Sequence, residues 1–259
     1  MKKFYLIASI VCCTLSATAQ KTLNLSTFNG TNIEKYAGTT CNVSVSRYVI
    51  TGWNTISLPF AVSETVLNEV FGSDCKLERL IGIENDGTEL KLNFQDCKAR
   101  GIEPNIPYIL YYSGETGTKK IYVENALVQA GEGALTFNAE GTGETVTMAA
   151  AQKKTEAVGL YGVLAVDNAD AKFVNTDAIS TGFLATRCYV QLSSGNAKAL
   201  STNHIGGDVA SIAQIAREHK LVDVYNLSGV RVATQIPVAE IQNLQKGIYV
   251  IGDKKVLVK

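Results

Sequence analysis

Basic excess is missing from this sequence: 24 Lys and Arg stand against 24 Asp and Glu. Without clustered cations to neutralise phosphates, nucleic acid is excluded as a partner. Also missing is any apolar run near the roughly 20 residues that cross a bilayer as a helix, so no transmembrane segment is expected. Proline occurs four times, with none between Pro107 and Pro237, which leaves a long stretch open to β-pairing. Only two histidines are present. His204 precedes Gly206-Gly207 in an expected loop, and His219 sits in the charged run Arg217-Glu218-His219-Lys220. No Gly-x-Ser-x-Gly elbow precedes either, which removes the usual frame of a Ser-His-Asp site. Gly141-Thr142-Gly143-Glu144 lacks the Lys-Ser/Thr ending of a phosphate loop. Glu78, Glu84, Glu89 and Asp96 lie mainly beside turns, where solvation accounts for them, and nothing in one dimension pairs them as glycosidase carboxylates. No cofactor, no metal and no enzymatic activity are therefore expected.

What is present begins with Lys2 and Lys3, the apolar run Phe4 to Val11, and Ala17-Thr18-Ala19. This order of charge, short apolar stretch and small residues is that of a secretory signal peptide over residues 1–19. A lipidated cysteine follows a small residue, whereas Cys12 follows Val11. Cleavage after Ala19 leaves 240 residues and removes two lysines, enough chain for one large or two small domains. The chain is expected to use the general Sec export route and to work in the periplasm, on the outer cell surface or outside the cell.

Four cysteines remain after cleavage: Cys41, Cys75, Cys97 and Cys188. In an oxidising compartment two disulfides are the default. Glu84-Asn85-Asp86-Gly87 reads as a hairpin turn with Cys75 and Cys97 equidistant from Asp86, which makes them facing candidates. In that register Leu80, Leu90, Leu92 and Phe94 share one face and both cysteines the other. Cys41 with Cys188 would be the remaining pair. Four free, buried thiols are the alternative. The spacing is too wide for a zinc site.

Period-two alternation bounded by Gly, Asn and Asp dominates the rest. Strands are expected at Thr40 to Ile50, Trp53 to Leu58, Lys76 to Ile83, Thr88 to Phe94, Pro107 to Tyr112, Lys119 to Asn125, Leu135 to Asn138, Thr145 to Met148, Val158 to Val166, Gly182 to Leu192 and Asp208 to Ile212. One helix follows Ser63 as N-cap, with Val66, Leu67, Val70 and Phe71 on one face and Gly72 as its stop. The predicted fold is all-β: a sandwich or distorted barrel over residues 20–215 with one short helix, plus a small C-terminal β unit over 216–259. That unit contains two hairpins, Leu221 to Leu227 with Val230 to Thr234, and Gly247 to Ile251 with Lys255 to Val258. Alone it is expected to be marginal. Tyr108, Tyr112 and Tyr122 are candidate ligand-contact aromatics, with Tyr108 and Tyr112 on one face of their strand and Tyr111 on the other. Ser113 to Lys120 is the expected rim loop.

Two stretches carry resemblances. Val222-Asp223-Val224-Tyr225-Asn226-Leu227-Ser228-Gly229-Val230-Arg231-Val232, then Leu244-Gln245-Lys246-Gly247-Ile248-Tyr249-Val250 and the basic-aliphatic end at Lys259, resemble the C-terminal sorting domain of the type IX secretion system. Tyr225, Gly229, Gly247 and Tyr249 are its motif positions. The leading Asn-Pro strand of that family has no counterpart here. The resemblance implies passage across the outer membrane. Arg47-Tyr48 and Gly52-Trp53-Asn54-Thr55-Ile56-Ser57-Leu58-Pro59-Phe60, with Ile102 to Leu110 and Ala185-Thr186-Arg187-Cys188-Tyr189-Val190, resemble a β module of secreted Bacteroidetes-type proteins. That module implies a β fold and no particular chemistry. The expected role is non-enzymatic adhesion, recognition or envelope structure through a surface glycan or protein ligand. The alternative is a secreted carbohydrate-active or proteolytic enzyme.

Overall fold

The structure is a computed structural model, and it describes residues 22–25, 33–85, 89–131, 133–139, 143–164, 171–177, 182–194, 199–205, 220–252 and 254–258. The expected signal segment, the Asp86-Gly87 turn, the Asp208 to Ile212 strand and His219 lie outside these residues. In chain order the elements are β1 (Thr22–Leu25), α1 (Ile33–Tyr36), β2 (Thr40–Val49), β3 (Gly52–Ile56), α2 (Glu64–Phe71), β4 (Lys76–Asn85), β5 (Glu89–Asp96), β6 (Tyr108–Tyr112), β7 (Gly117–Leu127), β8 (Ala134–Asn138) and β9 (Thr145–Ala151). They continue with β10 (Leu160–Leu164), β11 (Lys172–Asn175), β12 (Arg187–Leu192), β13 (Ala199–Ile205), β14 (Leu221–Asn226), β15 (Arg231–Pro237), β16 (Gly247–Ile251) and β17 (Lys254–Val258).

The chain is all-β with a short helix. A ten-stranded sheet runs β3-β6-β4-β5-β13-β11-β10-β12-β9-β8 and curls so that β3 comes against β10 and β12. A three-stranded sheet, β1-β2-β7, and α2 cover part of its outer side. Side-chain alternation builds a core on each face of the large sheet. From β6, Tyr108, Leu110 and Tyr112 enter the outer core with Ile56, Leu77, Val43, Val45, Ile121, Leu67 and Phe71. Its intervening Ile109 and Tyr111 face the enclosed core with Trp53, Leu80, Leu90, Leu92, Phe94, Phe173, Met148 and Val190. A strand covered on both sides has no use for polar residues, which is why Tyr108–Tyr112 reads as an unbroken apolar run.

The helix forms as its sequence predicts. The Ser63 side chain accepts from the Val66 N–H, Gly72 terminates at φ 89°, Leu67 and Phe71 are buried, and Val66 and Val70 pack beside them. Three strands, β1, β11 and β13, escape the sequence reading. β11 is only four residues long, and the expected Gly182 strand starts later, at Arg187, after Thr186 at φ 72°.

The C-terminal sheet, β15-β14-β16-β17, holds its own core of Val222, Val224, Val238, Ile241, Ile251, Val256 and Val258. A 3₁₀ turn over Val238–Asn243 supplies Val238 and Ile241 to cover one face. The expected pair of hairpins thus becomes one sheet with a plug, because the connection between them carries two inward aliphatics.

Candidate functional site

Covering by β1-β2-β7 stops at β4. Beyond it the outer face of β5 is half-buried at Glu89 and Lys91 and buried at Asn93 and Gln95, and the alternation of the strand decides what is displayed there. Leu90, Leu92 and Phe94 point into the enclosed core, so Glu89, Lys91, Asn93 and Gln95 point out. Parallel pairing sets Lys91 beside Ser201 and Asn93 beside Asn203, while antiparallel pairing sets Glu84 opposite Lys91. The side chains are tied together: Asn203 Nδ2 donates to Asn93 Oδ1 at 3.1 Å, Asn93 Nδ2 to Glu84 Oε1 at 2.9 Å, and Ser201 Oγ to Glu89 Oε1 at 3.0 Å. Asn93 is buried while Glu84 is exposed. This face floors a groove of about 980 Å³, with Thr136, Phe137 and Asn138 on one lip and Asn226, Ser228 and Lys246 of the C-terminal sheet among its other walls. The volume lies near the upper end of small-molecule sites, roughly 300–1,000 Å³.

Of the aromatic candidates, Tyr108 and Tyr112 are in the outer core, 1% and 5% exposed, so the expected contact platform is not formed. Burial pushes the Tyr108 phenol upward from its ordinary pKa, and its hydroxyl accepts from the Glu103 N–H at 3.1 Å. The face assignment of Tyr108, Tyr111 and Tyr112 holds; what sequence cannot supply is the second sheet that covers it. Tyr122 alone is exposed, at 41%. The Ser113 to Lys120 rim is pinned: Ser113 Oγ donates to Asp74, which holds that carboxyl below its ordinary range, and Thr51 N–H donates to Thr116 Oγ1 at 2.9 Å.

The two expected disulfides are not formed: Cys41, Cys75, Cys97 and Cys188 are free and buried. Cys97 N–H bonds to the Leu77 carbonyl at 2.8 Å, and Glu78 pairs with Asp96. Cys97 therefore stands opposite Leu77, two residues away from the register that would face Cys75. A shift by two keeps each side chain on its face, so the cysteines do lie on the opposite face from Leu80, Leu90, Leu92 and Phe94. Cys41 and Cys188 belong to different cores.

The residues of the second resemblance converge. Arg47 Nη1 donates to the Thr186 carbonyl at 2.8 Å and Nη2 to the Thr55 carbonyl at 2.5 Å, Cys188 N–H donates to Thr55 Oγ1 at 2.9 Å, and Arg187 Nη2 donates to the Tyr48 carbonyl at 3.0 Å. One guanidinium thus clamps β2, β3 and the turn before β12. Burial, with Arg187 next in effect, lowers the Arg47 pKa to about 9; burial raises the Cys188 thiol to about 12. Trp53, buried in the enclosed core, lies 4.6 Å from His204 in a stack and 5.3 Å from Tyr111 edge-on.

His204 is on β13 rather than in a loop. Its Nδ1 lies 2.5 Å from Glu78 Oε2, and Nε2 accepts the Ala171 N–H at 3.3 Å. An accepting Nε2 leaves the proton on Nδ1, directed at the carboxylate. Both ring nitrogens are thus engaged within the fold, and the pair closes the end of the enclosed core. The β13 strand that brings it together has no clean alternation in sequence, so this contact was not legible there.

In the sorting-like tail, Asn226 Oδ1 accepts from Ser228 and Val230 N–H, and Gly229 sits at φ 77°, which explains the glycine. Tyr249 Oη donates to the Gln245 carbonyl at 2.8 Å, Tyr225 pairs with Val250, and Gly247 opens β16 opposite Val258. These positions shape the small sheet. Among the described residues no helix is long and apolar enough to cross a membrane, and no three His, Cys, Asp or Glu side chains are placed to hold a metal ion. Comparison of the chain with protein-family models, with curated proteins and with solved structures yields no match.

Proposed function

We propose that this chain is an exported, non-enzymatic β protein that serves recognition or adhesion at the cell envelope. Its C-terminal sheet acts as a type IX sorting-like unit for the larger β body. The observation that carries the recognition reading is the groove floored by Glu84, Glu89, Lys91 and Asn93, in which Asn93 holds Glu84 and Ser201 holds Glu89 by hydrogen bonds. Such pre-ordered groups lose little freedom on binding, which suits a recognition surface. The export reading rests on residues 1–19 and on the tail motif around Tyr225, Gly229, Gly247 and Tyr249.

The same groove supports a second reading, a carbohydrate-active enzyme, because Glu84 and Glu89 share one open face. Release of reducing sugar from polysaccharide by the purified chain, abolished in both Glu84→Gln and Glu89→Gln, would establish that reading in place of the first. Export is tested by fractionating producing cells and reading the mature termini by mass spectrometry. The expected result is a chain starting at Gln20 on the outer surface or in the medium. Recovery only in the periplasm with Lys259 intact would reject outer-membrane sorting.

A further inference from the structure

We propose that Arg47 and Arg187 hold a small monoatomic anion of the halide class where β2, β3 and the turn before β12 meet. This site lies apart from the groove and does not depend on the recognition reading. The two guanidiniums interlock. Arg47 Nη1 donates to the carbonyl of Thr186, the residue before Arg187, and Arg187 Nη2 donates to the carbonyl of Tyr48, the residue after Arg47. Like charges are thereby set close together, and Arg187 stands next to burial among the causes that lower the Arg47 pKa.

No carboxylate offsets this pair. Among the described residues neither arginine forms an ion pair with Asp or Glu. The ionisable group that acts on both is the Cys188 thiol. Burial pushes that thiol up to about 12, so it is uncharged at neutral pH. Arg47, 3% exposed and lowered only to about 9, keeps its charge there. The carbonyls of Thr55 and Thr186 bring partial negative charge to Arg47. A buried cation is nonetheless costly unless a full counter-charge meets it.

Donors remain to hold such an ion. Arg47 Nε and the Thr186 hydroxyl are buried and make no hydrogen bond among the described residues. Both belong to one cluster, since the Thr186 carbonyl is bonded to Arg47 Nη1. Thr186 sits at φ 72°, a conformation that a β-branched residue keeps only where its surroundings impose it. A guanidinium N–H and a hydroxyl can both donate, and a halide only accepts. Thr55, Thr186 and Cys188 are buried around the pair, a setting that suits a single atom better than a bulky oxyanion. Arg187, half-buried, forms the flank toward solvent.

The test uses the purified mature chain with chloride as the probe. Sodium chloride replaces sodium gluconate at constant ionic strength, while the melting temperature and the chlorine NMR linewidth are followed. The expected result is a saturable rise in melting temperature, reproduced by bromide, together with saturable broadening of the chlorine line. An ion bound only by the folded chain stabilises it by mass action, whereas general salt effects favour excluded, strongly hydrated anions. Arg187→Gln is expected to abolish both responses, and Thr186→Ala to weaken chloride binding by about tenfold. Thr186→Ser keeps the hydroxyl and is expected to bind as wild type does. Lys172→Gln, which removes an exposed cation of β11, is expected to change nothing. The wild-type titration needs no variant to fold: absence of a saturable chloride response overturns the proposal. A response that survives in both Arg187→Gln and Thr186→Ala overturns it as well. So does a preference for phosphate over chloride that is lost in Arg187→Gln, since the site would then take an oxyanion.

Discussion

At the scale of single residues, Arg47 ties the layers in register. A guanidinium that reaches the carbonyls of Thr55 and Thr186 at once ties the small sheet to both the start of the large one and the turn before β12. Lysine has one compact ammonium and cannot span the two acceptors as the planar fork does. Arg47→Lys and Arg47→Ala are therefore both expected to lower unfolding free energy by about 2 kcal/mol or more, read from urea midpoints. A lysine variant equal to wild type would contradict the clamp. The cysteines give a second prediction: the mature chain titrates as four thiols after denaturation and as none while folded, because all four are buried and unbridged. Sequence reasoning could name these cysteines and even their faces, since a period of two is visible in one dimension. It could not fix the register, because Asn85 pairs with Leu90, which centres the hairpin past Asp86, and the bulge near Gly82 takes back only one residue of that offset. Arg47 and Arg187 were legible only as motif residues, since the carbonyls they meet are backbone groups that any sequence supplies.

Among elements, legibility followed alternation and capping. α2 declared itself through Ser63, its apolar stripe and Gly72, and β5 through strict alternation from Glu89 to Gln95. The strands missed, β1, β11 and β13, are short or mixed in pattern, and their pairing depends on partners far away in sequence. In sequence the outer face of β5 reads as ordinary solvated polarity; only the walls supplied by β8 and the C-terminal sheet turn it into a groove floor. In the C-terminal sheet the bulge of β15 is fixed by Asp223, whose Oδ1 accepts from the Gln235 N–H at 2.8 Å. That bond, more than the nearby Arg231, holds the Asp223 carboxyl below its ordinary range. A carboxyl whose pKa is depressed by folding adds stability at pH above the ordinary carboxylate value and loses it as pH falls through the folded value. Amide exchange at Gln235 is accordingly expected to quicken, relative to its intrinsic rate, on acidification below about pH 4. In Asp223→Asn, which keeps the acceptor and loses the titration, that acid response is expected to vanish.

For the whole molecule, three larger cores among the described residues organise behaviour, with a small fourth cluster of Ala151, Ala157, Leu160 and Phe183 beside them. Two lie on opposite faces of one curled sheet and share its strands, so they are expected to melt together. The C-terminal core shares no residue with them, and scanning calorimetry of the mature chain is expected to resolve a small separate transition for residues 220–258. A single transition in which the substitution Val224→Ala lowers the melting of the entire chain would contradict that independence. The all-β class and the separate tail were legible because alternation and the two hairpin turns are local signals. The curl of the large sheet and the groove left beyond its cover were not, since both follow from long-range pairing.

The central claim is that this chain is an exported β protein whose C-terminal sheet carries it across the outer membrane. It is tested most directly by comparing intact cells that make the full chain with cells that make a chain ending at residue 219. The full chain is expected on the outer surface or in the medium, open to added protease, and the shortened chain in the periplasm. The same distribution for both would contradict the account.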